Sequence, residues 1–600
     1  MPTTLPVPSG TAARFLTALP RFAFFTGKGG VGKTSIACAA AIHLADEGAR
    51  VLLVSTDPAS NVGQVFGATI GNAITPIPSV PGLSAIEIDP EQAAEQYRER
   101  IVGPVRGLLP EAELASIVES LSGSCTTEIA SFDEFTGFLA DESLTAQFDH
   151  VIFDTAPTGH TIRLLQLPGS WTTFLDDGKG DPSCLGPMAG LERQREMYAA
   201  AVRVLADPQS TRMILVARAQ PSSLAELHRT HHELAEIGMT EAHLVINGVL
   251  PQRAGDEPLA RAVRDREQAA IAAMPSGIAE LPRDLIDLRP VNMVGVDALR
   301  GLLAPPAAET AEAAGVAASI PNLEAHALAD RGLAALVDEL ERDGHGLIMC
   351  MGKGGVGKTT VAAALAVALA HRGHDVHLTT TDPAAHLIET LHGDVDRLTV
   401  SRIDPAESTR LYREHVMATK GAALDGAGRA ALAEDLMSPC TDEVAVFQQF
   451  SKVISAARSR FVIVDTAPTG HTLLLLDATG SYHREIARNM PAGMHFTTPM
   501  MRLQDPALTK MIIVTLAETT PVLEAAELQA DLARAGITPW AWVINNSVAA
   551  AQPESPFLRQ RARAELEQID RVRALAPRVA VLPLLGDEPV GEDRLAALSR

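Results

Sequence analysis

Eight residues, Gly27-Lys28-Gly29-Gly30-Val31-Gly32-Lys33-Thr34, recur unchanged as Gly352-Lys353-Gly354-Gly355-Val356-Gly357-Lys358-Thr359. Both copies fit G-x-x-x-x-G-K-[ST], a loop whose backbone N–H groups turn inward around phosphate oxygens because glycine permits the turn. Lys33 and Lys358 are then expected on the β/γ-phosphates. Thr34 and Thr359 are expected as ligands of Mg²⁺, an ion that takes few protein oxygens and keeps several waters. Ser35 and Thr360, the next hydroxyls, join Gly27, Gly29, Gly30, Val31, Gly32, Gly352, Gly354, Gly355, Val356 and Gly357 as expected nucleotide contacts. The chemistry implied is phosphoryl transfer, which needs positioning and charge neutralisation more than covalent groups.

Four aspartates complete that set. Asp57 and Asp382 each follow an apolar run and precede proline, placed to orient or deprotonate an attacking water. An Asp-Pro pair also reads as a plain turn, but recurrence beside a phosphate loop favours the chemical reading. Asp154 and Asp465 open the repeated block Asp-Thr-Ala-Pro-Thr-Gly-His-Thr, where an acidic residue at a strand end holds Mg²⁺ through its water shell. Asn247 and Asn545 lie at later strand ends where an adenine base would sit. Lys28 and Lys353, just after the first glycine, resemble the deviant P-loop class. In that class this lysine crosses an interface to a partner's nucleotide, as an arginine finger does, an effect worth about 10³–10⁵ in rate. Here the partner is the other half of the same chain.

The cysteines suggest a second site. Cys125 and Cys440 occupy equivalent positions, each just before an amphipathic helix (Ile129, Phe132, Phe135, Leu139; Val444, Phe447, Phe450, Ile454). A thiol at a helix N-terminus has a lowered pKa. If the halves pair about a two-fold, both could bridge one soft ion, which thiolates prefer to Mg²⁺ or Ca²⁺. Cys184 has no cysteine counterpart. Cys38 and Cys350, in the P-loop helix and the strand before it, read as small buried hydrophobes.

The elements around these residues are legible. Each loop follows an apolar strand (Phe22–Phe25; Leu347–Met351) and opens a small-residue helix (Ile36–Leu44; Val361–Leu369). Further strands are expected at 50–56, 150–153, 213–216 and 244–246, and at 375–381, 461–464, 511–514 and 542–544. Strands alternating with helical segments give an α/β fold with a parallel, doubly wound sheet, which binds ligands at the carboxyl ends of its strands. The copies are 325 residues apart at the loop (Gly27 to Gly352) and 311 at Asp154 to Asp465. That is a tandem duplication of two P-loop domains, expected to pack as a pseudo-two-fold dimer within one chain. The expected division is a poorly ordered lead-in over 1–20, an N-terminal half over 21–302, a linker over 303–322 and a C-terminal half over 323–600.

Composition narrows the function. Six hundred residues exceed one core, and a formal charge of −23 disfavours nucleic acid. No apolar run reaches the roughly 20 residues of a membrane helix, and the N-terminus has no signal-peptide pattern. Five cysteines without C-x-x-C suit reduced thiols. The expected compartment is the cytoplasm.

The two GKGGVGKT loops and two DTAPTGHT blocks together resemble the ArsA family, the arsenite- and antimonite-stimulated ATPases of bacterial arsenical efflux pumps. The resemblance implies ATP hydrolysis with Mg²⁺, stimulated by As(III) or Sb(III), on a protein docked at the inner membrane face on an arsenite carrier and fed by a metallochaperone. It implies a metalloid site of Cys125, Cys184, Cys440, His160, His471 and Ser438. The implied pairs are Cys125 with Cys440, Cys184 with His471, and His160 with Ser438. The rival is the ATPase chaperone that targets tail-anchored membrane proteins, usually a homodimer of single halves with a zinc-binding C-x-x-C that this chain lacks. Partitioning ATPases are disfavoured by the acidic charge, and nitrogenase-type reductases by the missing mate of Cys184.

Overall fold

The computed structural model describes residues 13–56, 62–103, 106, 114, 124–155, 191–304, 332–382, 387–436, 439–467 and 498–599. They form two compact units, one within residues 1–252 and 264–313, the other within 253–263 and 314–600.

The first unit holds β1 (Phe22–Thr26), β2 (Val51–Ser55), β3 (Thr75–Pro76), β4 (Leu83–Glu87), β5 (His150–Asp154), β6 (Thr211–Ala217), β7 (Ala242–Val249) and β8 (Arg283–Asp287). Their order across the sheet is β3-β4-β2-β5-β1-β6-β7-β8. Every pairing is parallel except β3 with β4. The helices that matter below are α1 (Lys33–Asp46), α2 (Ser124–Ala140), α3 (Leu191–Ala206), α4 (Pro221–Glu236), α5 (Pro258–Ala272) and α6 (Val296–Leu303).

The central strands are apolar throughout because both sheet faces are covered. Phe22 and Phe24 of β1 join Leu52, Val54, Val151 and Phe153 in one core, under α2, α3 and α4. Ala23 and Phe25 join Val51, Leu53 and Ile152 in the other, under α1 and α6. Alternate side chains therefore go to opposite faces, as the two-residue period of a strand requires. β1 sits between β5 and β6, with β2 beyond β5 on one side and β6 on the other. The chain reverses its winding there, which opens the crevice where doubly wound sheets bind ligands.

The second unit repeats the plan with β9 (Gly346–Met351), β10 (Val376–Thr380), β11 (Leu398–Arg402), β12 (Phe461–Asp465), β13 (Thr509–Leu516), β14 (Ala541–Ser547) and β15 (Val579–Pro583). The order is β11-β10-β12-β9-β13-β14-β15, parallel throughout. Its helices include α7 (Lys358–His371), α8 (Pro439–Ala456), α9 (Thr519–Arg534) and α10 (Pro556–Leu575). Residues Val361 to Ala370 of α7 are all buried, as an all-apolar helix must be. Residues 253–263 fold with this unit: the Glu257 carboxylate accepts from the N–H groups of Glu554 (2.6 Å) and Ser555 (3.1 Å) at the start of α10.

The five strands expected in each half are present. The sequence reading missed the sheet margins, β3, β4 and β8 in one unit and β11 and β15 in the other. Edge strands bury less and so carry polar residues, as in Arg283-Asp-Leu-Ile-Asp287 and Leu398-Thr-Val-Ser-Arg402. The cysteine-bearing helices also begin earlier than expected: Cys125 and Cys440 lie within the first turns of α2 and α8 rather than before them.

Candidate functional site

Both phosphate loops connect the carboxyl end of a central strand to a 14-residue helix, β1 to α1 and β9 to α7. Glycine is obligatory at two points of each loop. A Cβ on Gly27 would stand 2.1 Å from the Val216 carbonyl oxygen, and one on Gly352 2.3 Å from that of Val514. Gly32 and Gly357 cap the helices with φ of +92°, and a Cβ there would collide with the amides of Asn247 and Asn545. Neither cap offers a side-chain acceptor. The first-turn N–H groups and the positive end of the helix dipole are thus presented to an anion.

The lysines differ by position. Lys33 and Lys358 are buried, and each Nζ curls back to donate to a loop carbonyl, Lys28 O at 3.4 Å and Lys353 O at 2.9 Å. Lys28 and Lys353 are half-buried. Lys353 forms an ion pair with Glu524 of α9.

Beside each loop stands a hydroxyl–carboxylate pair. Thr34 Oγ1 donates to Asp154 Oδ2 at 2.6 Å, and Thr359 Oγ1 to Asp465 Oδ2 at 2.8 Å. Both aspartates are buried at the ends of β5 and β12. Asp465 Oδ1 is buried with no hydrogen-bond partner among the described residues. Burial pushes the Asp465 carboxyl up to about 6, against the pull of Lys358. A buried carboxylate oxygen without a donor, next to a hydroxyl and facing a phosphate loop, fits a hydrated divalent cation. Asp382 is tied to the same cluster: its N–H donates to Thr380 Oγ1 (3.0 Å), and that hydroxyl reaches Asp465 Oδ2 (3.5 Å). The strand ends are further pinned by Thr155 and Thr466, whose hydroxyls donate to Phe25 O and Cys350 O, each at 2.8 Å.

Asn247 and Asn545 hold the loops. Each Nδ2 donates to a loop carbonyl, Val31 O at 2.8 Å and Val356 O at 3.0 Å. The strand ends that carry them are braced by acids of the next helix. Glu565 accepts from Ser547 Oγ and Ala549 N, both at 2.9 Å, and Glu267 accepts from Leu250 N at 2.8 Å. Sequence reasoning missed Glu524, Glu565 and Glu267. The available signal was their recurrence: aligned on Met213 and Met511, Glu226 matches Glu524 and Glu267 matches Glu565.

Asp57, His160, Cys184, His471 and Ser438 lie outside the described residues. Of Cys125 and Cys440 the structure describes the helices and not the side chains. Cys38 and Cys350 are fully buried thiols, as their sequence context suggested. No helix among the described residues is long and apolar enough to cross a membrane.

Two doubly wound sheets, each with a phosphate loop, a hydroxyl–carboxylate pair and a second loop lysine, define a tandem P-loop nucleotide-hydrolysing protein of the deviant class. Comparison with known proteins makes this specific. The chain belongs to the anion-transporting ATPase family, whose model matches residues 20–304, 345–503 and 494–600. It is 61% identical over 587 residues to an arsenical pump-driving ATPase of Acidiphilium multivorum, spanning 98% of this chain and 100% of that one. It is 34% identical over 613 residues to a putative arsenical pump-driving ATPase of Halobacterium salinarum, spanning 96% and 93%. The ATPase GET3 of Eremothecium gossypii is 33% identical over 253 residues, which cover only 38% of this chain. That match covers 72% of GET3 but only part of this chain, whereas the pump-driving ATPases match along nearly its whole length.

Proposed function

We propose that this ATPase drives arsenical efflux: it hydrolyses ATP, is stimulated by As(III) or Sb(III), and passes the energy to a membrane arsenite carrier. The observation that carries the reading is the end-to-end match, at 61% identity, to arsenical pump-driving ATPases, with a complete phosphate loop in each half.

The chain's own residues supply most of the chemistry. The glycine loops and helix N-termini bind the phosphates, and Lys33 and Lys358 neutralise charge on the β/γ-oxygens. Asp57 and Asp382 orient the attacking water and take up its proton. The water oxygen bonds to the γ-phosphorus as the bridging bond to ADP breaks. Thr34 with Asp154, and Thr359 with Asp465, would hold Mg²⁺, which supplies charge neutralisation between the β- and γ-phosphates. Lys28 and Lys353 add a cation from the opposite half. Cys125, Cys184, Cys440, His160, His471 and Ser438 bind the metalloid and draw the halves, joined through residues 303–322, together. This couples two distinct sites. A metallochaperone delivers the metalloid, and the protein works at the cytoplasmic face of the membrane.

The test is the ATPase rate of the full chain with and without antimonite, beside the C125S/C184S/C440S variant. Strong stimulation that disappears in the variant is the expected result. A rate indifferent to antimonite in both proteins would overturn the metalloid reading and leave an ATPase of another purpose.

A further inference from the structure

The two halves treat their second loop lysines, Lys28 and Lys353, differently, and the difference is written in one position of the fourth and ninth helices. In α9, Glu524 is 5% exposed and pairs with Lys353, itself 17% exposed, in the same half. In α4 the matching Glu226 pairs instead with Arg229, one turn along its own helix. The residue that matches Arg229 is Glu527. An arginine three residues on engages the first acid locally, an i,i+3 pair. A glutamate there repels it and leaves the acid to the loop lysine. No described residue forms an ion pair with Lys28.

The carrier of Glu524 is fixed in place. Glu518, which caps α9, is ion-paired with the buried Arg561 of α10. Gln529 of α9 accepts from the Trp542 indole at 2.8 Å. In the first half the residue matching Glu518 is the neutral Gln220. The acid that holds Lys353 thus stands on a braced helix, and the lysine must leave it to serve another nucleotide.

We propose that Glu524 is a positioning residue that restrains Lys353 within its own half, so that the two loop lysines are inequivalent at rest: Lys353 must first be released from Glu524, whereas no described residue holds Lys28 in an ion pair. This rests on the reading that the loop lysines serve ATP hydrolysis. Closure of the halves exchanges the Glu524 carboxylate for phosphate oxygens as the partner of Lys353. Release of that lysine is then one step at which metalloid binding raises the rate.

The full-length chain carries the test, as wild type, E524Q and E527R. Labelling of Lys28 and Lys353 by acetic anhydride is followed by peptide mass spectrometry without nucleotide, and the ATPase rate is measured with and without antimonite. In wild type Lys28 should acetylate several-fold faster than Lys353. Both variants should raise Lys353 labelling several-fold, raise the unstimulated rate, and shrink the factor by which antimonite stimulates. E527R retains Glu524 and only gives it the local arginine of the first half, so it decides the matter if E524Q does not fold. Unchanged Lys353 labelling in a folded variant overturns the restraint. Increased labelling with an unchanged unstimulated rate overturns its role in hydrolysis. A wild-type chain that hydrolyses no ATP sinks the functional reading instead, while the labelling still decides whether the ion pair exists.

Discussion

Phe135 of α2 packs edge-on against Phe153 of β5, with 5.3 Å between ring centroids. Phe153 in turn stacks on Phe24 of β1 at 4.4 Å. Phe24 lies three residues before the first phosphate loop, Phe153 one residue before Asp154, and Phe135 on the helix whose first turn holds Cys125. One aromatic cluster therefore joins the cysteine helix to both strands that carry the nucleotide chemistry. Packed cores transmit displacement because they are dense and hold few voids.

Replacing Phe135, 3% exposed, with alanine should cost about 3–5 kcal/mol of stability. It should also lower the factor of metalloid stimulation more than the basal rate. Urea unfolding and paired rate measurements check both. A stimulation factor equal to wild type in a stably folded F135L, which keeps most of the volume, would exclude this cluster as the route of coupling.

The Asn545 amide donates to a buried segment of the second phosphate loop. Asn545→Ala leaves the Val356 carbonyl without that donor, a loss of about 1–3 kcal/mol. ATP affinity at that site should fall by about tenfold for each 1.4 kcal/mol that falls on the loop. Titration calorimetry on N545A would show it. Unaltered ATP affinity would mean that the loop holds its shape without the strut.

Glu565 predicts a pH effect of definite sign. Burial pushes its carboxyl from 4.5 up to about 7, despite the stabilising N–H of Ala549 and the nearby Arg561. Between those values the folded chain holds a proton that the unfolded chain has lost. Stability contributed by this group is therefore full below about 4.5 and falls as pH rises through 7. E565Q keeps an acceptor for Ser547 and Ala549 and has no charge to bury. It should be more stable than wild type at pH 8, by up to about 3 kcal/mol, with the gap narrowing toward pH 5. Denaturant curves at the two pH values decide; a less stable E565Q at pH 8 would refute the assignment.

Cys38 and Cys350 should behave as inert thiols. Both are fully buried, and burial pushes each pKa up, helped by the charges of Asp154 and Glu87 at Cys38 and of Asp465 at Cys350. Iodoacetamide should modify them only after unfolding, as mass spectrometry of the peptides would reveal. Rapid alkylation of either in the native chain would contradict the packing around the P-loop helices.

The sequence alone determined the duplication, the parallel α/β plan and the nucleotide motifs. Each rests on local rules: glycine spacing in a loop, apolar runs for doubly covered strands, and a repeated order of elements. The motif named Thr34, Thr359, Asp154 and Asp465, and the fold brings each pair within hydrogen-bond reach. Contacts between distant segments were decided only by the tertiary structure. Asn247 was read as a base contact; that its amide nitrogen also reaches across 216 residues to brace Val31 came only from the fold. Glu524 was an ordinary helix residue until folding set it against Lys353, 171 positions away. The margin strands β8 and β11 were missed because half-exposed strands carry little apolar signal. A side chain's local propensity says nothing of which remote group will lie beside it; packing makes that choice, and here it gives two copies of one motif different partners.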